Sequence, residues 1–420
     1  MFRSLALTGA ALLTLAACGG TEEASTPAPA PAKPASSDAV LAAWSDTSGS
    51  ELFWADGRTL EPVNDLSYPI PFFHGAAERS PDGAMLAVGG SETAVVDIVD
   101  LERMQSMGTI ELTAGTTVDL LHWSAPDRIL ASLWGERPQV AALQPGARKP
   151  IGVHDLDGMI LKTSPAGDKL AILLAPADGI GQARLALFDG DRVRSVDLPG
   201  VRAGWEESGE QEDYRARQLV PALAVDPSGS RAVVIAPGNR AVDVDLGSMT
   251  ATSHDLVQAV SLLERFRNWL EPGAWAKMIE GPELNAVWLP SGLIALSGVN
   301  YATEGDSSHA TPAGLALVDP ANWSLRHISD APAWVALRGG ALLGSAGNEE
   351  NSSALYVFGP DGTPRFELER RGQADLSQTA GEHLYVSTKD GAEYELVDLA
   401  TGETVGRASP ERPTYIVFTE

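Results

Sequence analysis

One turn recurs along this chain and limits what it can fold into. At Ser80-Pro81-Asp82-Gly83, Pro presets a turn φ, Asp bonds back to the local backbone and Gly accepts a positive φ. The short apolar run Ala84-Met85-Leu86-Ala87-Val88 follows, and a second turn arrives at Asp100-Leu101. Degenerate copies of both turns continue to the C-terminus. The second turn appears at Asp56, Asp100, Pro145, Asp189, Asp245, Asp319, Asp361 and Asp398, with spacings of 44, 45, 44, 56, 74, 42 and 37 residues. The first turn appears seven times, at Ser80, Ser124, Ser164, Asp226, Leu289, Arg338 and Ala380. A period near 40–45 residues with four strands per unit predicts a β-propeller.

The termini account for the missing eighth copy. Val40–Trp44, Glu51–Ala55 and Thr59–Val63 form a module without its first strand, and Pro413–Thr419 is a strand-like run without a module. Pairing of the two closes the ring and leaves no long open edge. The expectation is an all-β propeller of eight four-stranded blades over residues 39–420. Seven is the alternative count if one weak module is an elaborated loop. Two packed sandwiches are the competing architecture, and they leave the even spacing unexplained.

Composition supports many short strands, with 42 Gly and 28 Pro punctuating apolar runs of four to eight residues. The net charge of −26 repels phosphates and anionic head groups, which makes nucleic acid a poor partner.

The single cysteine, Cys18, excludes an intramolecular disulfide. Before it lie a positive start, Met1-Phe2-Arg3, and an apolar stretch from Ser4 to Leu15, which together read as a signal peptide over residues 1–17. Leu15-Ala16-Ala17-Cys18 resembles the lipobox of bacterial lipoproteins. The resemblance implies cleavage before Cys18, a diacylglyceryl thioether there, N-acylation, and stable anchoring by two or three chains. Residues 18–38 continue as a Pro/Ala-rich tether. Gly19 is not the Asp that tends to retain such proteins at the inner membrane. The implied location is the outer membrane of a Gram-negative cell, or the outer face of the membrane of a Gram-positive one.

The Ser-Pro-Asp-Gly turn before an apolar strand, with Val-Asp-Leu-x-x-Gly late in the unit, resembles bacterial propellers of the TolB and YncE kind. It is similar, more distantly, to WD-repeat propellers, although the Trp-Asp dipeptide is absent. The resemblance implies the fold and no particular activity.

Three insertions break the rhythm. Residues 202–218 are acidic around Trp205 and Tyr214 and read as a solvated loop. Residues 256–280 show i, i+3, i+4 apolar spacing from Val257 to Leu270 and read as a short helix, with Trp269 and Trp275 as anchors. Residues 300–313, with Tyr301 and His309, read as a long hairpin loop reaching toward the central channel. Trp205, Tyr214, Trp269, Trp275, Tyr301 and His309 are therefore the candidate partner-binding residues. None of the seven histidines forms a His-x-x-x-His or Glu-x-x-His pair, and no Gly-x-Ser-x-Gly elbow or nucleotide-binding Gly motif is present. No catalytic or metal residue is assigned and no cofactor is expected. The function expected is a monomeric, lipid-anchored, non-enzymatic module that binds a protein, peptide or glycan. The alternative is a propeller enzyme with a central-channel site, either a metal-dependent lactonase-type hydrolase or a quinone-dependent dehydrogenase.

Overall fold

The computed structural model describes residues 39–418 except 47–48, 71–75, 91–93, 209–214, 259–278, 305–306, 348–351, 372–378, 381–382, 388–392 and 413. Its strands alternate with the two turns as the repeat requires, and each group of four pairs antiparallel into one blade. Blade 1 consists of Ala39–Asp46, Gly49–Asp56 and Pro62–Ile70, with Thr414–Phe418 from the C-terminus as its innermost strand. The third strand thus begins at Pro62, later than the Thr59 start expected. Blades 2 to 8 begin at the inner strands Ala77–Arg79, Thr117–Ala125, Met159–Ala166, Ala222–Val225, Ile279–Trp288, Trp334–Arg338 and Thr379–Ala380. The protein is an eight-bladed propeller closed by pairing of its terminal strands.

Eight separate apolar cores confirm the count, one at each blade–blade interface. Because strand side chains alternate, the two faces of a blade serve two different cores. Val242 and Val244 pack toward blade 4, while Ala241 packs toward blade 6. Middle strands are therefore apolar throughout, as in Lys169–Ala175, where only Lys169 is not buried. Trp123 fills the interface of blades 2 and 3, and Trp288 packs into that of blades 5 and 6.

Both recurrent turns lie on one face of the disc, since Met85, just past the first turn of blade 2, pairs with Asp100 of the second. In the second turn the Asp carboxylate accepts backbone N–H groups. Asp56 bonds Arg58 and Thr59 at 2.9 and 3.0 Å, and Asp398 bonds Ala400 and Thr401 at 2.9 and 2.7 Å. The backbone N–H of Arg58, Ser248, Thr363 and Thr401 holds Asp56, Asp245, Asp361 and Asp398 respectively below the ordinary carboxylate pKa.

Four residues after the Asp the chain takes a positive φ: Leu60 (59°), Met104 (49°), Met249 (54°), Trp323 (60°) and Gly402 (75°). Only Gly402 adopts this without a Cβ penalty. The others are held because their side chains enter inter-blade cores, Leu60 fully buried between blades 8 and 1 and Met104 between blades 1 and 2.

In six of the eight blades the second turn also fastens its blade to the one before it. Its backbone carbonyls accept from Trp54 (Nε1 to Leu101 O, 2.9 Å), Arg194 (to Gly247 O, 2.9 Å) and Arg231 (to Pro320 O, 3.2 Å). Ser291 (to Pro360 O, 3.1 Å), Arg365 (to Leu399 O, 3.2 Å) and Tyr385 (to Gly57 O, 2.6 Å) continue the series, the last across the closure.

The opposite face carries the insertions, and there the readings of 202–218 and of Val257 change. The described part of 202–218 is paired strand in place of the expected solvated loop. Val193–Ser208 runs on past its blade, and Gly204–Ser208 pairs with Arg215–Leu219. Alternation drives this, with Val201 and Ala203 buried and Arg202 exposed between them. In 256–280 the flanks are strand. Val257–Gln258 pairs parallel with the outer strand Ser324–Ser329 of blade 6, and Ile279–Glu280 begins that blade's inner strand. Val257, placed on the apolar helical stripe by its spacing, is 66% exposed and donates its N–H to Trp323 O. No helix occurs among the described residues, and the helical reading of 259–278 lies outside them. The long hairpin expected over 300–313 is present, with Ile294–Glu304 pairing with Ser307–Pro312.

Leu60 sets backbone strain against burial, and the magnitudes choose between them. Leu60→Gly relieves about 1–2 kcal/mol of left-handed strain and forfeits about 2–5 kcal/mol of buried side chain. The variant is expected to be less stable than wild type, as read by the urea midpoint. An unchanged or higher midpoint would show that strain dominates at this turn.

Candidate binding site

The extended hairpins of blades 4 and 6 meet above blade 5. Ala216 and Arg217 pair in parallel with Ile279 and Glu280, and Val220 bridges to Glu283. Blades 4 and 6 thereby become one continuous sheet that passes over the blade between them. Gly281 (φ 114°) permits the close approach, because a Cβ there would collide with the Gln218 carbonyl oxygen.

The register aligns a cross-strand row on this added sheet. Trp205 pairs with Gln218, Gln218 lies against Gly281, and Gly281 pairs with Tyr301, which pairs with Ala310. Trp205 and Tyr301 are half-buried, and the Trp205 indole donates to Glu207 Oε1 at 3.1 Å. Gln218 is buried, and its Nε2 meets no acceptor among the described residues. Glycine contributes no side chain, so the row has a gap between amide and phenol.

Below the row, Lys162 of blade 4 reaches across blade 5 to Glu283 of blade 6, Nζ to Oε1 at 2.7 Å. Its ammonium lies 5.6 Å from the ring centroid of Trp334 on blade 7, a cation–π distance. Both charged side chains remain 23% exposed. Burial raises the Tyr301 phenol pKa, and the Glu283 carboxylate raises it further. Inner strands of three blades thus join a cation, a carboxylate and an aromatic face beside the row. Among the described residues no three His, Cys, Asp or Glu side chains gather as a metal-ligand set.

A second polar set ties inner strands toward the tight-turn end. Glu78 of blade 2 bonds His122 Nδ1 at 3.2 Å and the Trp123 N–H at 2.6 Å, and His122 Nε2 faces Gly167 O at 2.6 Å. Both ring nitrogens face acceptors, so only the imidazolium donates to both. Burial pushes the His122 pKa down, and the bonds to Glu78 and Gly167, with the charges of Glu78 and Asp168, outweigh it and leave it raised.

Of the residues singled out from sequence, the structure brings Trp205 and Tyr301 into one row. His309 lies opposite Ala302 on the adjoining strand. Tyr214, Trp269, Trp275 and Cys18 lie outside the described residues. Lys162, Glu283 and Trp334 were not indicated by any motif. Their only trace is a polar or aromatic residue inside an inner strand, at positions up to 172 residues apart.

No protein-family model matches the chain, and no curated protein sequence is significantly similar to it. Among solved structures, the dihydro-heme d1 dehydrogenase NirN in complex with DHE superposes with a TM-score of 0.57 at 12% identity, over 93% of this chain and 78% of that one. AztD of Citrobacter koseri superposes with a TM-score of 0.51 at 12% identity, over 91% and 98% of the two chains. At such identities the likeness shows a shared fold.

A raised histidine pKa stabilises the fold fully below the unfolded value near 6.5 and loses that contribution as pH rises through the folded value. His122→Gln is expected to remove this component. Urea midpoints of wild type should fall relative to the variant as pH increases from about 6 to 9. Parallel curves would sink the assignment.

Proposed function

We propose that this chain is a lipid-anchored propeller outside the cytoplasm that binds a protein, peptide or glycan on its insertion-bearing face and performs no chemistry on it. The observation that carries this reading is the added sheet over blade 5, with its Trp205–Gln218–Gly281–Tyr301 row beside Lys162, Glu283 and Trp334. Half-buried aromatics flanking a side-chain gap suit anchor groups of a partner, and a rigid eight-core disc holds them in place. Anchoring rests on the signal sequence and on Cys18 in its lipobox context, and the tether over residues 18–38 supplies reach.

Photo-crosslinking residues at positions 205 and 301, compared with position 149 in a tight turn, test the reading in cells. Adducts are expected from 205 and 301 only, and Lys162→Ala should weaken them. Equal adducts from position 149, or none from the insertion face, would overturn the proposal. Elemental mass spectrometry and an absorbance spectrum of the purified protein separate the enzyme class. A stoichiometric metal or chromophore there would replace binding by catalysis as the working assignment.

A further inference from the structure

The path of the chain into the disc fixes which face its anchor can hold. Ala39, the first described residue, pairs with Asp56, the residue that opens the second turn of blade 1. The polypeptide therefore enters the propeller on the tight-turn face and runs toward the insertion face. The closing strand ends on the same side, with Phe418 opposite Leu41. Entry is through the second strand of the blade, with Gly49–Asp56 and Pro62–Ile70 lying outside it.

We infer that the tight-turn face lies against the lipid bilayer and that the insertion face is presented away from it. The inference rests on the anchored reading, since it takes acylated Cys18 as the fixed point. The 21 residues from Cys18 to Asp38 include four Pro, at positions 27, 29, 31 and 34, and a chain of that length reaches about 25 Å as a coil and at most about 65 Å as an extended polyproline-type segment. From the entry point the tight-turn face needs none of that span. Turning the insertion face to the bilayer takes the tether over two outer strands, ~10 Å, and along a strand length, ~20–25 Å. The inverted arrangement thus takes about half of even the extended reach before any of it separates disc from membrane.

The face nearest the bilayer has little of its own to adhere with. Its carboxylates at Asp56, Asp245, Asp361 and Asp398 are held ionised by the turn backbone, and anionic head groups repel them. The tether, and not surface attraction, keeps this face inward. The Trp205–Tyr301 row and the Lys162–Glu283 pair then face the aqueous compartment. Their partner is one that approaches from solution and not one embedded in the membrane to which the protein is attached.

Energy transfer from a single fluorophore to acceptor lipids reads the orientation directly. The full chain, produced with its lipid and reconstituted in phosphatidylethanolamine/phosphatidylglycerol vesicles, is labelled at Lys149→Cys or at Ala310→Cys. Lys149 is exposed in a tight turn, and Ala310 is exposed on the insertion hairpin. Acylated Cys18 does not react with the maleimide, so each variant carries one dye. Transfer is expected to be severalfold more efficient from position 149. Equal transfer, or more from position 310, overturns the orientation while leaving the anchor intact. Labelling of the wild-type protein at Cys18, or failure to float with the vesicles, overturns the anchored reading itself and the orientation with it.

Discussion

Closure governs this molecule. Each blade buries both faces against neighbours, and the ring has no end blade to cap. A four-stranded sheet with two apolar faces is not stable alone, so the eight interfaces must form together around the circle. The single pairing of Thr414–Phe418 with Ala39–Asp46 converts a linear array into that circle. Backbone carbonyls of the second turns then receive Trp, Arg, Ser and Tyr donors from the preceding blade, including Tyr385 to Gly57 across the seam. The same turns send Leu60, Met104, Met249 and Trp323 back into the cores at positive φ. Strain of about 1–3 kcal/mol at each is tolerated because burial exceeds it.

These couplings occupy the tight-turn face with structural duties. Its Asp side chains hold their own turns, and carbonyls and left-handed residues of those turns engage the neighbouring blade, which leaves little room for change. Among the described residues the connections on the other face carry no such repeated bonds, and connection lengths there vary from a three-residue link at 237–239 to the long segment between blades 5 and 6. Blades 4 and 6 use that freedom to build a sheet over blade 5, which is itself made of short strands and is the only blade so bridged among the described residues.

The repeat was legible because turn chemistry is local. Pro, Asp and Gly at fixed offsets declare a turn without knowledge of the rest of the chain, and counting them yields eight blades and the terminal closure. The insertions were less legible. Val201, Ala203 and Ala216 alternate with charged residues, yet the acidic cluster from Glu206 to Asp213 obscured that period and suggested a solvated loop. Val257 satisfied a helical spacing while its backbone was already engaged with Trp323 O. Lys162 and Glu283 illustrate the deeper limit. They are 121 residues apart, and no local pattern specifies that one blade will be spanned by a side chain from the next but one.

Charge links the two faces. The arginines that complete the clasps, Arg194, Arg231 and Arg365, turn their guanidinium groups onto backbone carbonyls, and Arg231 also holds Asp243 at 2.6 and 2.8 Å. Such cations are spent inside the ring and contribute less to the outer field than their number suggests. What remains outward is dominated by carboxylates, in keeping with the net charge of −26. On the insertion face Glu206 and Glu207 are exposed beside Trp205, so the row is approached through an acidic field with aromatic groups within it. That field raises the encounter rate of basic molecules and lowers that of acidic ones.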